Sequence, residues 1–163
     1  MNIDHRDILR HQIETMHHII RRMIDDITEE ESLRTIGTSP NHIKWQTGHL
    51  VFAAMLAAKT LDGTLVPPEG WDKLFGKGAK PPDRQKDFPP MTELRAKLYE
   101  FQERVLARLA KASDEHLVTR REIAPNWEDS PLNAMLLLYG HDFYHCGQIA
   151  LIRRDLGRER NFG

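Results

Sequence analysis

The sequence predicts an all-α protein, a four-helix bundle with a long crossover loop between helices two and three. Three observations carry this expectation. Three segments repeat apolar residues at steps of three and four, helix start and stop residues bound a further segment, and no stretch reads convincingly as a strand.

Helix one is expected from about Asp4 to Asp26, where Leu9, Ile13, Met16, Ile20, Met23 and Ile27 form the stripe that one buried helical face requires. Ser39-Pro40 offers an N-cap followed by a proline at the first helical position, so helix two should run from there to about Leu61, with Asp62-Gly63 ending it. Residues 62–90 hold six of the nine prolines and four of the ten glycines, so the crossover reads as irregular. Its Trp71, Phe75 and Phe88 suggest a cover that packs back on the bundle, with a loosely ordered connector as the alternative. Thr92 can cap helix three, whose core stripe is Leu94, Leu98, Phe101, Val105 and Leu109. A connector from about Ala112 to Asp129 follows. Ser130-Pro131 then opens helix four, which continues to about Leu156 before Gly157. Helix four carries two inward stripes: Leu132, Met135, Leu136, Tyr139, Phe143, Cys146 and Ile149 on one, and Leu138, His141, His145, Gln148 and Ile152 on the other. Such a helix reads as buried nearly all round.

A chain of 163 residues and 18.9 kDa is expected to form one domain, residues 1–163, with a core large enough to need no staples. Its formal charge of -1 and pI near 6.8 give no electrostatic footprint for nucleic acid or for an anionic membrane. Cys146 is the single cysteine, which excludes an internal disulfide, and Asp4, His5, Arg6 and Asp7 interrupt any leader-like apolar run; a cytoplasmic location is the expectation. The apolar stretch from Leu50 to Ala58 is far short of the roughly 20 residues that cross a bilayer. There is no phosphate-binding G-x-x-x-x-G-K-[ST] segment and no G-x-S-x-G elbow.

His141 and His145 stand four apart, which puts both rings on one helical face within reach of a single metal ion. Among nine histidines such a pair also arises by chance, and a pair of hydrogen-bonded core histidines is the alternative. His49, mid-helix between Trp45 and Phe52-Ala53, is the best-placed third ligand, since bundle sites are commonly assembled from facing helices. A buried imidazole donating to a carbonyl is its alternative reading. Trp45 could wall a pocket or serve as core, and Gln148 could hydrogen-bond a ligand or a neighbouring backbone group. Cys146 falls on the other apolar stripe and reads as an inert buried thiol. The remaining six histidines are expected to be solvated, His11 and His18 beside Glu14, Arg21 and Asp25 on the polar face of helix one.

These residues also resemble a family. Asn41-His42-Ile43-Lys44-Trp45-Gln46-Thr47-Gly48-His49-Leu50 is similar to the second-helix signature of DinB-like proteins, and His141-Asp142-Phe143-Tyr144-His145-Cys146-Gly147-Gln148-Ile149 to their H-x3-H-x-G-Q-I signature on the last helix. The crossover segment Trp71-Asp72-Lys73-Leu74-Phe75-Gly76-Lys77-Gly78 fits the same pattern more loosely. The resemblance implies a triad of His49, His141 and His145 around one divalent ion, zinc or nickel, with positions left open for water or substrate. It further implies a homodimer, a small-molecule substrate, and one of two activities. In the first, a low-molecular-weight thiol cosubstrate is held as thiolate and transferred to an electrophile. In the second, metal-bound hydroxide hydrolyses its substrate. Thiol transfer is favoured because no obvious buried carboxylate stands on the ligand face to act as a general base. The reading from a different class is a non-catalytic, stress-related bundle that captures a small ligand.

Overall fold

A computed structural model of the chain describes residues 4–39, 41–63, 67–76, 78–79 and 88–159. Helix α1 spans His5–Ile24, α2 Ile43–Asp62, α3 Trp71–Phe75, α4 Met91–Leu109, α5 Asp114–Val118 and α6 Pro131–Asp155. Strands β1 (Arg121–Ala124) and β2 (Trp127–Asp129) form an antiparallel hairpin between α5 and α6. No described helix is long and apolar enough to cross a membrane.

The four long helices make the bundle, in the circular order α1, α4, α2, α6. Contacts fix their directions. His17 meets Tyr139 and Met23 meets Arg153, so α1 and α6 run the same way; Arg21 meets Gln102 and Ile24 meets Arg95, so α4 runs against α1. His49 meets His141 and Trp45 meets His145, so α2 opposes α6, while Arg108 of α4 joins both Ala58 and Asp62 of α2. Helices α2 and α4 are thus parallel neighbours. A helix of 20 residues is about 30 Å long, and the chain must climb back that distance between them, which is why the crossover is long.

The stripes expected on α1 and α4 are buried as the periodicity predicts: Leu9, Ile13, Met16, Ile20, Met23 and Ile27 on one side, Leu94, Leu98, Phe101, Val105 and Leu109 on the other. Ser130 caps α6 by accepting from the Asn133 N–H at 3.3 Å, and Gly63 and Gly157 end α2 and α6 in the left-handed conformation.

Several expectations are corrected. Helix α2 begins at Ile43, and its cap is His42, whose Nδ1 accepts from the Trp45 N–H at 3.0 Å. The proposed first-turn Pro40 lies outside the described residues. Thr92 sits inside the first turn of α4; the Met91 N–H is satisfied instead by the carboxylate of Glu29, 2.9 Å away, which also pairs with the buried Lys44. This cap comes from a distant part of the chain, so no local signature announces it. The connector before α6 contains a two-stranded hairpin rather than coil, turned by Pro125 and by Asn126 at φ 63°. Proline presets the first turn position and asparagine tolerates the left-handed second.

The helix buried nearly all round is α2, not α6. Helix α2 is enclosed by α4, α6, α3, β1 and the 3-10 turn Glu31–Leu33, so even Lys44, Gln46 and Thr47 are buried. On α6, Met135, Tyr139, Cys146 and Ile149 turn inward, but Leu136 and Phe143 of the same expected stripe are exposed, as are Leu137, Tyr144 and Leu151. Of the histidines expected in solvent, His17 is buried against the Tyr139 hydroxyl at 3.0 Å and His42 against Phe88.

Candidate metal centre

Antiparallel packing of α2 against α6 brings His49, His141 and His145 to one level of the bundle. Their ligand atoms all lie within 4.8 Å of one another. The Nε2 of His141 stands 3.3 Å from that of His49 and 3.1 Å from that of His145. Three nitrogens around one tetrahedral ion, each at about 2.0–2.1 Å, lie roughly 3.3 Å apart. The two edges that meet at His141 match that figure, and the third is no longer than 4.8 Å.

The chemistry of the donors points the same way. Two imidazole nitrogens facing each other at such distances need one proton between them, and a third nitrogen facing the same spot cannot be satisfied by it. A shared cation satisfies all three lone pairs. Burial also keeps rings neutral here: it lowers the pKa of His49 and takes that of His145 down to about 3. Neutral imidazole is the form that ligates.

His49 is held by the crossover. Its Nδ1–H donates to the Phe75 carbonyl at 2.5 Å, which leaves the Nε2 lone pair aimed at the meeting point. Trp45 stacks on the ring at 5.1 Å and 9° and donates its own Nε1–H to the Leu74 carbonyl at 3.0 Å. Both carbonyls belong to the last residues of α3. That helix can sit so close because residue 48 is glycine: a Cβ there would lie 2.1 Å from the Phe75 ring. The aromatic residues of the crossover do pack back, with Trp71, Phe75 and Phe88 buried, yet α3 lies behind His49 as a brace.

The α6 histidines are held differently. The Nδ1 atoms of both His141 and His145 are buried without a hydrogen-bond partner, and so is Oδ1 of Asp142. His141 Nδ1 and Asp142 Oδ1 are 3.7 Å apart, just beyond hydrogen-bond reach. Burial raises the Asp142 pKa, with His141 acting in the opposite sense. Gln148, one turn on, acts weakly against the burial that lowers the His145 pKa, and its own Oε1 is buried without a hydrogen-bond partner.

Beside the three rings opens a cavity of about 1000 Å³, walled by Trp45, Phe52 and Leu56 from α2, Leu138 from α6, and Trp127 from the hairpin. His49 and His141 reach its lining; Gln148 does not. Of the crossover, Gly78 is the described residue that touches it. No lysine, arginine or carboxylate is among the described lining residues. Cys146 is buried elsewhere in the core, its thiol pushed up to about 12, and stays protonated.

Sequence reasoning missed Asp142, Gly48, the Phe75 carbonyl and Trp127. Pro125-Asn126, between Ile123 and Trp127, is a turn signal that could have located the hairpin wall. No curated protein matches the chain significantly. The family model of the DinB superfamily matches residues 12–149, a stretch that includes all three converging histidines, the brace and the hairpin. With that match over most of its length, the chain belongs to the DinB superfamily.

Proposed function

We propose that His49, His141 and His145 hold one divalent ion, zinc or nickel, and that the protein is a metal-dependent enzyme transferring a low-molecular-weight thiol to an uncharged, apolar electrophile. The observation that carries this reading is the set of three convergent Nε2 atoms beside an apolar cavity of about 1000 Å³. Three protein ligands leave a coordination position free, unlike the closed four-ligand sites that only stabilise a fold. The ion would supply Lewis acidity, which lowers the pKa of a thiol bound beside the cavity.

The residues divide the remaining work. Trp45, Phe52, Leu56 and Trp127 exclude water and hold the apolar part of the substrate. The described lining carries no cation to recognise an anionic substrate and no carboxylate to deprotonate water. Asp142, the nearest buried carboxylate, approaches His141 at Nδ1, on the edge of the ring remote from the nitrogens that converge. These features favour transfer of a sulfur nucleophile over hydrolysis. The sulfur forms the new bond to carbon, its proton passes to solvent, and the leaving group departs with the displaced electron pair.

The test has two arms. Protein purified without an immobilised-metal column is expected to carry one equivalent of metal, lost in His49→Ala and His145→Ala. Metal-loaded protein is then assayed for thiol consumption with an uncharged aryl halide or epoxide, and in parallel for ester and amide cleavage. Metal-dependent thiol consumption supports the reading. Cleavage without thiol consumption replaces it with a hydrolase, and stoichiometric metal with neither activity replaces it with a ligand-binding bundle.

A further inference from the structure

The cavity beside the metal centre has a direction. Its α2 wall is made by Trp45, His49, Phe52, Ala53 and Leu56, which share one helical face, so it lies along the groove between α2 and α6. The antiparallel packing that sets His49 against His141 and Trp45 near His145 brings Phe52 and Ala53 level with Leu138 and Leu137, and those two line the facing side. From His49 to Leu56 the helix rises about 10 Å, at roughly 1.5 Å per residue. The groove therefore has the three imidazoles at one end and an apolar arm of that length leading away from them.

The hairpin roofs this arm. Pairing passes from Glu122 with Glu128 to Ala124 with Trp127, so Ile123 is an extra residue, and such a bulge bends its strand. The Ile123 side chain is buried and lines the same small cleft as Lys59 and Thr60 at the end of α2, which seats the hairpin on that helix. The tip from Ala124 to Trp127 reaches back over the groove and lines the arm. Rings thus face the arm from two sides, Phe52 from α2 and Trp127 from the hairpin. Of the three tryptophans, Trp45 and Trp71 are buried, whereas Trp127 is half-buried, as is Phe52. Among the described residues neither of these two rings packs on another ring. Leu137, 61 % exposed, adds further apolar surface that an occupant of the arm would cover.

We propose that the arm receives the non-reacting part of the substrate, that this part is an uncharged, flat aromatic system of two fused rings held between Phe52 and Trp127, and that Trp127 is the specificity-determining residue. The proposal rests on the reading of the three histidines as the end where the electrophilic carbon reacts. A single six-membered ring fills only part of an arm of about 10 Å, and two fused rings fill most of it. Rings that meet offset or edge-on attract each other beyond the apolar area they cover, so two unpartnered rings select an aromatic occupant over an aliphatic one of similar size. The absence of charge from the described lining selects a neutral one. Asn126, the remaining polar residue of the tip, serves the turn, at φ 63°.

Binding of the uncharged dye 6-propionyl-2-(dimethylamino)naphthalene, whose emission moves to the blue on leaving water, reads the arm without any reaction. The metal-loaded protein is expected to bind one equivalent and to release it to 2-acetylnaphthalene at lower concentration than to 1-decanol. Trp127→Leu, which keeps apolar bulk and loses the ring, is expected to weaken dye binding roughly 2–12-fold, the worth of one ring contact, and Trp127→Phe to recover most of that loss. Leu56→Trp fills the arm from the helix side with the hairpin sequence intact, and is expected to abolish the shift. A parent that binds no dye, binding unchanged in Trp127→Leu or in Leu56→Trp, or displacement by 1-decanol as readily as by the ketone overturns the proposal. The reaction is judged separately with styrene oxide and 2-naphthyloxirane, each relative to its uncatalysed rate. Dye binding with the expected dependences but no thiol consumption removes the thiol transfer and leaves the aromatic arm. Thiol consumption that does not favour the naphthyl epoxide leaves the transfer and overturns the arm.

Discussion

His49 and the His141–His145 pair face one point, but they are held to different degrees. His49 is fixed on three sides: its Nδ1–H is spent on the Phe75 carbonyl, its face is covered by Trp45, and the brace behind it fits only because residue 48 lacks a Cβ. The α6 pair is held by backbone spacing, while both Nδ1 atoms lack hydrogen-bond partners and the Asp142 carboxylate stands 3.7 Å from His141 Nδ1. One half of the site is set by the protein alone. The other half keeps unspent hydrogen-bonding capacity that a bound cation would draw in, since a ligated imidazole is a stronger Nδ1–H donor and a nearby carboxylate is its usual acceptor.

That contrast can be broken experimentally. Ligand deletion should do the most damage: His49→Ala, His141→Ala and His145→Ala should each weaken metal binding more than about 100-fold, beyond the ~10–100-fold typical of losing a group behind a ligand. Competition with a chromogenic chelator measures this. Equal affinity in any of the three removes that residue from the site.

On the His49 side, Gly48→Ala should lower stability by about 1–3 kcal/mol, the range for an overpacked contact, because the new methyl collides with the Phe75 ring. Thermal unfolding of the metal-free protein shows whether α3 is a brace; an unchanged midpoint means that it yields freely. On the α6 side, Asp142→Asn should preserve the fold and weaken metal binding about 10-fold, with little change in the metal-free melting temperature. The reverse outcome, lower stability at unchanged affinity, would make Asp142 a core residue with no part in orienting His141.

Acidity affects the two regions together. His17 and His145, with pKa values near 3, and His42, near 4, stay neutral in the folded chain down to low pH, whereas in the unfolded chain they titrate near 6.5. Between pH 6.5 and 4 the unfolded state therefore binds protons that the folded state refuses, and stability falls as pH falls, by up to about 1.4 kcal/mol per unit for each group. Asp142, raised by burial, acts in the opposite sense. Denaturant titrations across this window should show a declining midpoint. Replacing His17 by Gln should flatten the decline by one group's share, the smallest of these effects.

Much of this was legible in the chain because it rests on periodicity. The α1 and α4 stripes, the Ser130 cap and the stop at Gly157 follow from local patterns, and spacing four put His141 and His145 on one face. His49 was legible through its position on a facing helix and through resemblance. The supports of the site were hidden because they are tertiary: a carbonyl has no sequence signature, and Gly48 gains meaning only once Phe75 lies against it. Asp142 was missed because its carboxylate turns away from the cavity toward Nδ1 of its neighbour. Leu136 and Phe143 read as inward because apolarity on a helix reads as burial, and sequence does not distinguish a core face from one left exposed on the protomer.

Whether three imidazoles share one ion is decided by X-ray absorption at the zinc or nickel edge of the loaded protein. Three imidazole nitrogens at about 2.0–2.1 Å with their multiple-scattering features, falling to two in His49→Ala reloaded with metal in excess of its weakened affinity, is the predicted spectrum. A first shell with one imidazole or none, unchanged in that variant, would contradict it.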